Sequence, residues 1–125
     1  MRALLDTSFF VATETGRPLS QMEGVTETEV SVVTLAELTL GVLTAADEER
    51  PARVATLSAV ESRWDPLPVD AARQFASIVA ALRSARRRVP ILDALVAATA
   101  IVEQIPVVTQ DNDHGAIPGV KVIRV

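Results

Sequence analysis

The segment Ile91–Val102, ILDALVAATAIV, restricts the possible folds more than any other stretch. A helix of this composition is apolar on nearly every face, and such a helix lies inside a core. Pro90 suits its first helical position, and Val89 before the proline is expected to be extended. One carboxylate, Asp93, falls in the first turn. An ionised carboxylate near a core is costly unless something positive faces it. No Lys or Arg occurs from Val89 through Gln110. The partner of Asp93 therefore comes from elsewhere in the fold, or is a bound cation.

Around this helix the chain alternates strands and helices. Arg2-Ala3-Leu4-Leu5 reads as a buried strand ending at Asp6-Thr7-Ser8, with a helix from Ser8 to about Thr13. Glu29–Val33 alternates and is β-branched, a second strand. A helix opens at Thr34-Leu35-Ala36-Glu37 and runs to about Leu43. Val54, Leu57, Val60 and Trp64 form one apolar stripe on a helix from Asp47 to Trp64. Asp65–Val69 is too rich in proline for a central strand but allows an edge strand. Asp70 caps a helix whose buried face is Phe75, Ile78, Val79 and Leu82. Ile105–Thr109 is a short strand, Gln110–Gly115 a polar turn, and Val120–Arg124 a last strand. This pattern predicts one domain over residues 1–125: a three-layer α/β/α sandwich around a mostly parallel sheet of about four or five strands.

Open parallel sheets bind ligands at the carboxyl ends of their strands. Asp6 ends the first strand, Glu37 lies one turn into the helix after the second, and Asp111 and Asp113 follow the fourth apolar run. The 91–102 helix leads almost directly into that run, so it is antiparallel to it and brings Asp93 to the same rim. Each acid also has an ordinary reading. Asp6 suits an N-cap, Thr34-x-x-Glu37 a capping box, Asp93 a helix dipole, and Asp111 and Asp113 a turn. Together they differ, because like charges on one rim repel unless a cation offsets them. Carboxylates and water are the ligands of Mg²⁺, with Mn²⁺ as its substitute. Such a site fits hydrolysis of a phosphodiester by a metal-activated water.

Composition narrows the classes. There is no Cys and a single His, which argues against a zinc site or a disulfide scaffold and fits a reducing cytoplasm. No signal peptide or membrane-length apolar run is evident. The net charge of −4 is unlike that of a protein gripping many phosphates, so any nucleic-acid contact is expected to be local, with a metal as one way to mediate it.

The order and spacing of Leu4-Leu5-Asp6-Thr7-Ser8, Val33-Thr34-Leu35-Ala36-Glu37-Leu38 with Gly41-Val42, Ile91-Leu92-Asp93-Ala94-Leu95-Val96-Ala97-Ala98-Thr99-Ala100 and Val107-Val108-Thr109-Gln110-Asp111-Asn112-Asp113 resemble a PIN-domain ribonuclease. The nearest likeness is to VapC toxins of toxin–antitoxin pairs. The resemblance spans the whole chain. It implies that Asp6, Glu37, Asp93 and Asp111 form a catalytic tetrad, with Asp6, Asp93, Asp111 and Asp113 as metal ligands. Thr109 and Ser8 are supporting hydroxyls. It further implies Mg²⁺-dependent endonucleolytic cleavage of RNA, a homodimer, and a VapB-type antitoxin that inserts into or covers the acidic pocket. Gln110 stands where the family commonly has Arg, and His114 where it commonly has an aromatic.

Arg83 and Arg86-Arg87-Arg88 are either a solvated helix end or a grip on RNA backbone. Trp64 is expected in the core. His114 is expected to be a turn residue, with proton donation as its functional alternative. The helices around 34–43 and 47–64 suit a hairpin that docks an antitoxin helix. Two rival readings are a receiver-type phosphoacceptor domain, for which Lys121 is poorly placed, and a catalytically inactive PIN-like RNA-binding module.

Overall fold

The computed structural model describes every residue except Val89, and every side chain except that of Asp113. The expected extended backbone of Val89 and the ligand role of Asp113 therefore lie outside the described residues. In chain order the elements are β1 (Arg2–Leu5), α1 (Thr7–Thr15), β2 (Glu27–Ser31), α2 (Val32–Leu43), α3 (Arg50–Ser58), β3 (Trp64–Asp65), α4 (Val69–Ser84), α5 (Ile91–Glu103), β4 (Val107–Thr109), a 3₁₀ turn (Asp113–Ala116) and β5 (Val122–Arg124).

The five strands form one sheet in the order β3-β2-β1-β4-β5. Every pairing is parallel, with Leu4 beside Glu29 and Val107, and Leu5 beside Val30 and Val108. Side chains alternate across β1. Ala3 and Leu5 pack with Phe10 of α1, Val30, Leu38 and Val108 on one face. Leu4 packs with Val96 and Ala100 of α5 and with Val107 on the other. Both faces are thus covered, which a parallel sheet requires. A second apolar layer joins α4 to α5 through Ile78, Leu82, Ala94 and Ala98. The small residues of α5 let it sit between sheet and helix, as its all-round apolar surface demands.

Several boundaries differ from those expected. Val32 and Val33 belong to α2, because Ser31 caps the helix by accepting the Val33 N–H at 3.1 Å. The Thr34–Glu37 capping box does not form, and Glu37 is free for another use. The expected helix over 47–64 is shorter. Val60 leaves it to bury in the core, closing the last turn with its N–H on the Leu57 carbonyl at 3.0 Å. Trp64 then lies on the edge strand β3 and is 42% exposed, so it is not a core residue. Pro90 is the N-cap of α5 rather than its first residue, and Pro68, not Asp70, caps α4. Asp70 instead pairs with Arg73 across the first turn.

The sheet order places a reversal of winding beside β1. From β1 the chain moves to β2 on one side, while β4 flanks β1 on the other. Crevices of this kind at the carboxyl ends of strands are where open α/β sheets bind ligands. The loop after α1 is drawn toward the same edge. Gly16 is left-handed (φ 72°), the helix closes through the Arg17 N–H on the Ala12 carbonyl, and Gln110 Nε2 donates to the Pro18 carbonyl. Gly16→Ala places a Cβ in open space but in a disfavoured conformation. A loss of about 1 kcal/mol in urea unfolding is expected, since that is the cost of this backbone region to an L-residue.

Candidate metal centre

Asp6, at the end of β1, has the extended backbone of an N-cap but makes no side-chain cap bond to α1. Its carboxylate turns instead into a pocket of about 250 Å³ also lined by Thr7, Ser8, Arg17, Glu37, Asp93 and Asp111. Acids from four separate segments of the chain therefore meet at one place. Asp6 is 2% exposed. Oδ2 accepts hydrogen bonds from Ser8 Oγ and Thr109 Oγ1, each at 2.9 Å. The two hydroxyls are 3.0 Å apart. Each has one hydrogen, which is best used on the charged oxygen. Their lone pairs accept in turn: Ser8 Oγ from the Gln110 N–H at 2.9 Å, Thr109 Oγ1 from the Asp111 N–H at 3.0 Å. The chain is pinned on both sides of the pocket by one small network.

Glu37 is held across the pocket by Thr7, whose Oγ1 donates to Oε1 at 2.8 Å. Asp93 sits in the first turn of α5, with its side chain partly exposed. Asp111 follows β4 and is exposed. Below them is His114, wholly buried in the 3₁₀ turn. Its Nε2 lies 3.4 Å from Asp6 Oδ1 and 3.7 Å from Asp93 Oδ1. Neither ring nitrogen has a hydrogen-bond partner among the described residues.

Electrostatics separate the acids. Burial pushes the Asp6 carboxyl up, but the nearness and charge of His114 and the hydroxyls of Ser8 and Thr109 outweigh it. Asp6 therefore titrates below the ordinary aspartate range. Burial also raises Glu37. The Thr7 hydrogen bond offsets part of this, the charges of Asp6, Asp93 and Asp111 add to it, and the net shift is upward. Burial favours neutral His114, yet Asp6 foremost, then Asp93 and Asp111, hold its titration above the usual histidine value.

This donor set fits a divalent cation. Oxygen ligands converge from several elements, their mutual repulsion falls when a cation sits among them, and the ligating atoms of Asp6, Asp93 and His114 lie within 4.8 Å of one another. Because Glu37 carries an ionised charge that its neighbours disfavour, Glu37→Gln is expected to raise the stability of the chelator-treated protein at pH 7. Its amide oxygen can still accept from Thr7. Urea unfolding in EDTA checks this, and a loss of stability would contradict it.

The four acids of the expected tetrad are in one pocket, and Thr109 and Ser8 are both on Asp6. Arg86, Arg87 and Arg88 are exposed after the end of α4. Asp93 is five positions after Arg88, so their Cα atoms are at most ~18 Å apart. Three contributors were not evident from the sequence: Thr7, Arg17 and the buried position of His114. The Thr7 to Glu37 bond depends on how α1 meets α2, and Arg17 on the loop's return to β4. Lys121 precedes β5 and sits at the amino edge of the sheet, its carbonyl bonded to the Val107 N–H. That is the wrong end for a receiver-type phosphoacceptor site.

Residues 3–120 match the family model of the PIN domain. The chain is 44% identical to ribonuclease VapC4 of Mycobacterium tuberculosis, over 99% of this chain and 97% of that protein. It is 45% identical to ribonuclease VapC5 of the same organism, over 98% and 94%. The crystal structure of VapBC-5 from M. tuberculosis, a toxin–antitoxin system, superposes with a TM-score of 0.83 at 39% identity, covering 99% of this chain and 98% of that one. VapBC2 from Rickettsia felis, at 21% identity, shares the fold with a TM-score of 0.82 over 100% and 99% of the two chains. Sequence over the full length and the all-parallel sheet agree: the chain belongs to the PIN-domain family, alongside the VapC ribonucleases.

Proposed function

We propose that this chain is the toxin of a VapBC-type pair, a single nuclease domain over residues 1–125 that cuts RNA within the strand using a divalent metal. One observation carries the reading: Asp6, Glu37, Asp93 and Asp111, scattered through the sequence, line one pocket. Asp6, Asp93 and Asp111 hold the metal in this proposal, with Asp113 as a further ligand. Mg²⁺ and Mn²⁺ are the divalent ions such an acidic donor set would take. Bound there, the metal lowers the pKa of a water and offsets charge on the phosphoryl oxygens.

The protein's own groups do the rest. Ser8 and Thr109 fix the Asp6 carboxylate, leaving Oδ1 turned toward His114. Glu37, more basic than an ordinary glutamate, suits acceptance of a proton from the attacking water. Arg17 gives the otherwise acidic pocket a positive group for the substrate phosphate. Arg86, Arg87 and Arg88 would bind the RNA backbone beyond it. Among the described residues no helix is long and apolar enough to cross a membrane, in keeping with a cytoplasmic site of action. Relatives of similar fold are solved as toxin–antitoxin pairs. We accordingly expect a VapB-type antitoxin over the pocket and a homodimeric toxin.

Sequencing RNA 5′ and 3′ ends after induced expression tests the proposal. Discrete new ends that appear with the parent protein and vanish with Asp93→Asn are expected. No new ends, or the same ends from both proteins, would overturn it. RNA binding without cleavage would favour the inactive binding module.

A further inference from the structure

We infer that His114 is a nitrogen ligand of the metal, and that it makes the site select a transition-series ion such as Mn²⁺ over Mg²⁺. The inference rests on the metal reading above and goes beyond it in the donor set and the choice of ion.

His114 is 0% exposed, and both its nitrogens lack hydrogen-bond partners among the described residues. A buried polar group left so costs about 1–3 kcal/mol, and native structures seldom retain one without an ion, a water or a catalytic use. Its Nε2 faces the carboxylates of Asp6 and Asp93, two of the acids that line the pocket. It lies 3.4 Å from Asp6 Oδ1 and 3.7 Å from Asp93 Oδ1, close to both carboxylates and hydrogen-bonded to neither. Donors on one ion with bonds of about 2.1 Å stand about 3.0–3.4 Å apart; the two His114 contacts are at or a few tenths of an ångström beyond that range, and the candidate ligand atoms of all three residues lie within 4.8 Å of one another. A histidine held only by an ion pair needs one carboxylate; this one faces two. This ring is instead the third corner of a triangle whose other corners are acids from β1 and α5.

The ligand type determines the preference. Mg²⁺ favours oxygen donors and keeps its waters. An imidazole nitrogen strengthens binding of first-row transition ions, increasingly from Mn²⁺ toward Cu²⁺. A site with Asp6, Asp93 and His114 is therefore a mixed nitrogen–oxygen site.

The chain contains a single histidine, so an isotopic label on histidine reports on this position alone. Pulsed electron paramagnetic resonance of the untagged full-length protein loaded with Mn²⁺ should show coupling to one ¹⁴N nucleus. The signal should convert to ¹⁵N when the histidine is labelled. Competition of Mg²⁺ against Mn²⁺ gives a second readout. In His114→Phe, which refills the buried volume, Mn²⁺ affinity should fall by about tenfold or more, since losing a direct ligand costs at least what losing an outer-sphere support does, and the preference for Mn²⁺ over Mg²⁺ should fall with it. Mn²⁺ bound with no nitrogen coupling in the parent would overturn the inference and leave the carboxylate site standing. Mn²⁺ that does not bind, or binds Asp6→Asn equally well, would overturn both.

Discussion

Asp6→Asn is expected to lower RNA cleavage by at least about a thousandfold, or ~4 kcal/mol of transition-state stabilisation, the scale of a lost metal interaction. The substitution keeps the shape of the side chain and removes its charge. Asp6 is where the two features of the site combine. Oδ2 is fixed by the hydroxyls of Ser8 and Thr109, and Oδ1 faces His114. An asparagine has to turn its NH₂ either toward the two hydroxyls or into the metal position. The first removes an acceptor from both hydroxyls, and the second sets a donor against the cation. Asp6→Asn is also expected to lower stability, because the fold favours the ionised form of Asp6. That stability is present above the unfolded-state aspartate pKa and lost as pH falls through the lower folded one. Cleavage of a defined RNA by the purified variant, with circular dichroism confirming the fold, provides the measurement. Retention of more than a tenth of the parent rate would contradict the assigned role.

Leu4→Ala is expected to destabilise the protein by about 3 kcal/mol or more, the range for removing a buried leucine from a packed core. Leu4 is 1% exposed on the central strand, between β2 and β4, and packs on Val96, Ala100 and Val107. A stability of about 5–15 kcal/mol is usual for a domain, so this is a large share of it. The melting temperature should fall by roughly 10 °C or more. The effect extends to function, since β1 also delivers Asp6. A loss below about 1 kcal/mol would mean that β1 is not the centre of the core.

The sequence revealed the architecture where one interaction dominates. The apolar all-round α5, the β1 run ending in Asp6 and the alternation of elements are matters of burial, which composition reports directly. The four acids could be placed on one rim from chain order alone, because a helix that returns directly to a strand reverses direction. What sequence did not reveal turns on competition between similar energies. Val32 and Val33 suit a strand by propensity, but the Ser31 cap begins a helix there. The stripe from Val54 to Trp64 has helical spacing, yet Val60 gains more by burial in the core than by extending the helix. The position of His114 depends on a short 3₁₀ turn whose path is set by tertiary packing. No local pattern marks that histidine as buried beneath two carboxylates.

The claim on which the rest depends is that these distant carboxylates form one divalent-cation site. Calorimetric titration of the metal-free protein with Mn²⁺ tests it most directly. Saturable binding to the parent, with the heat abolished in both Asp6→Asn and Asp93→Asn, is the predicted result. Equal binding by parent and variants, or none by any of them, would contradict it.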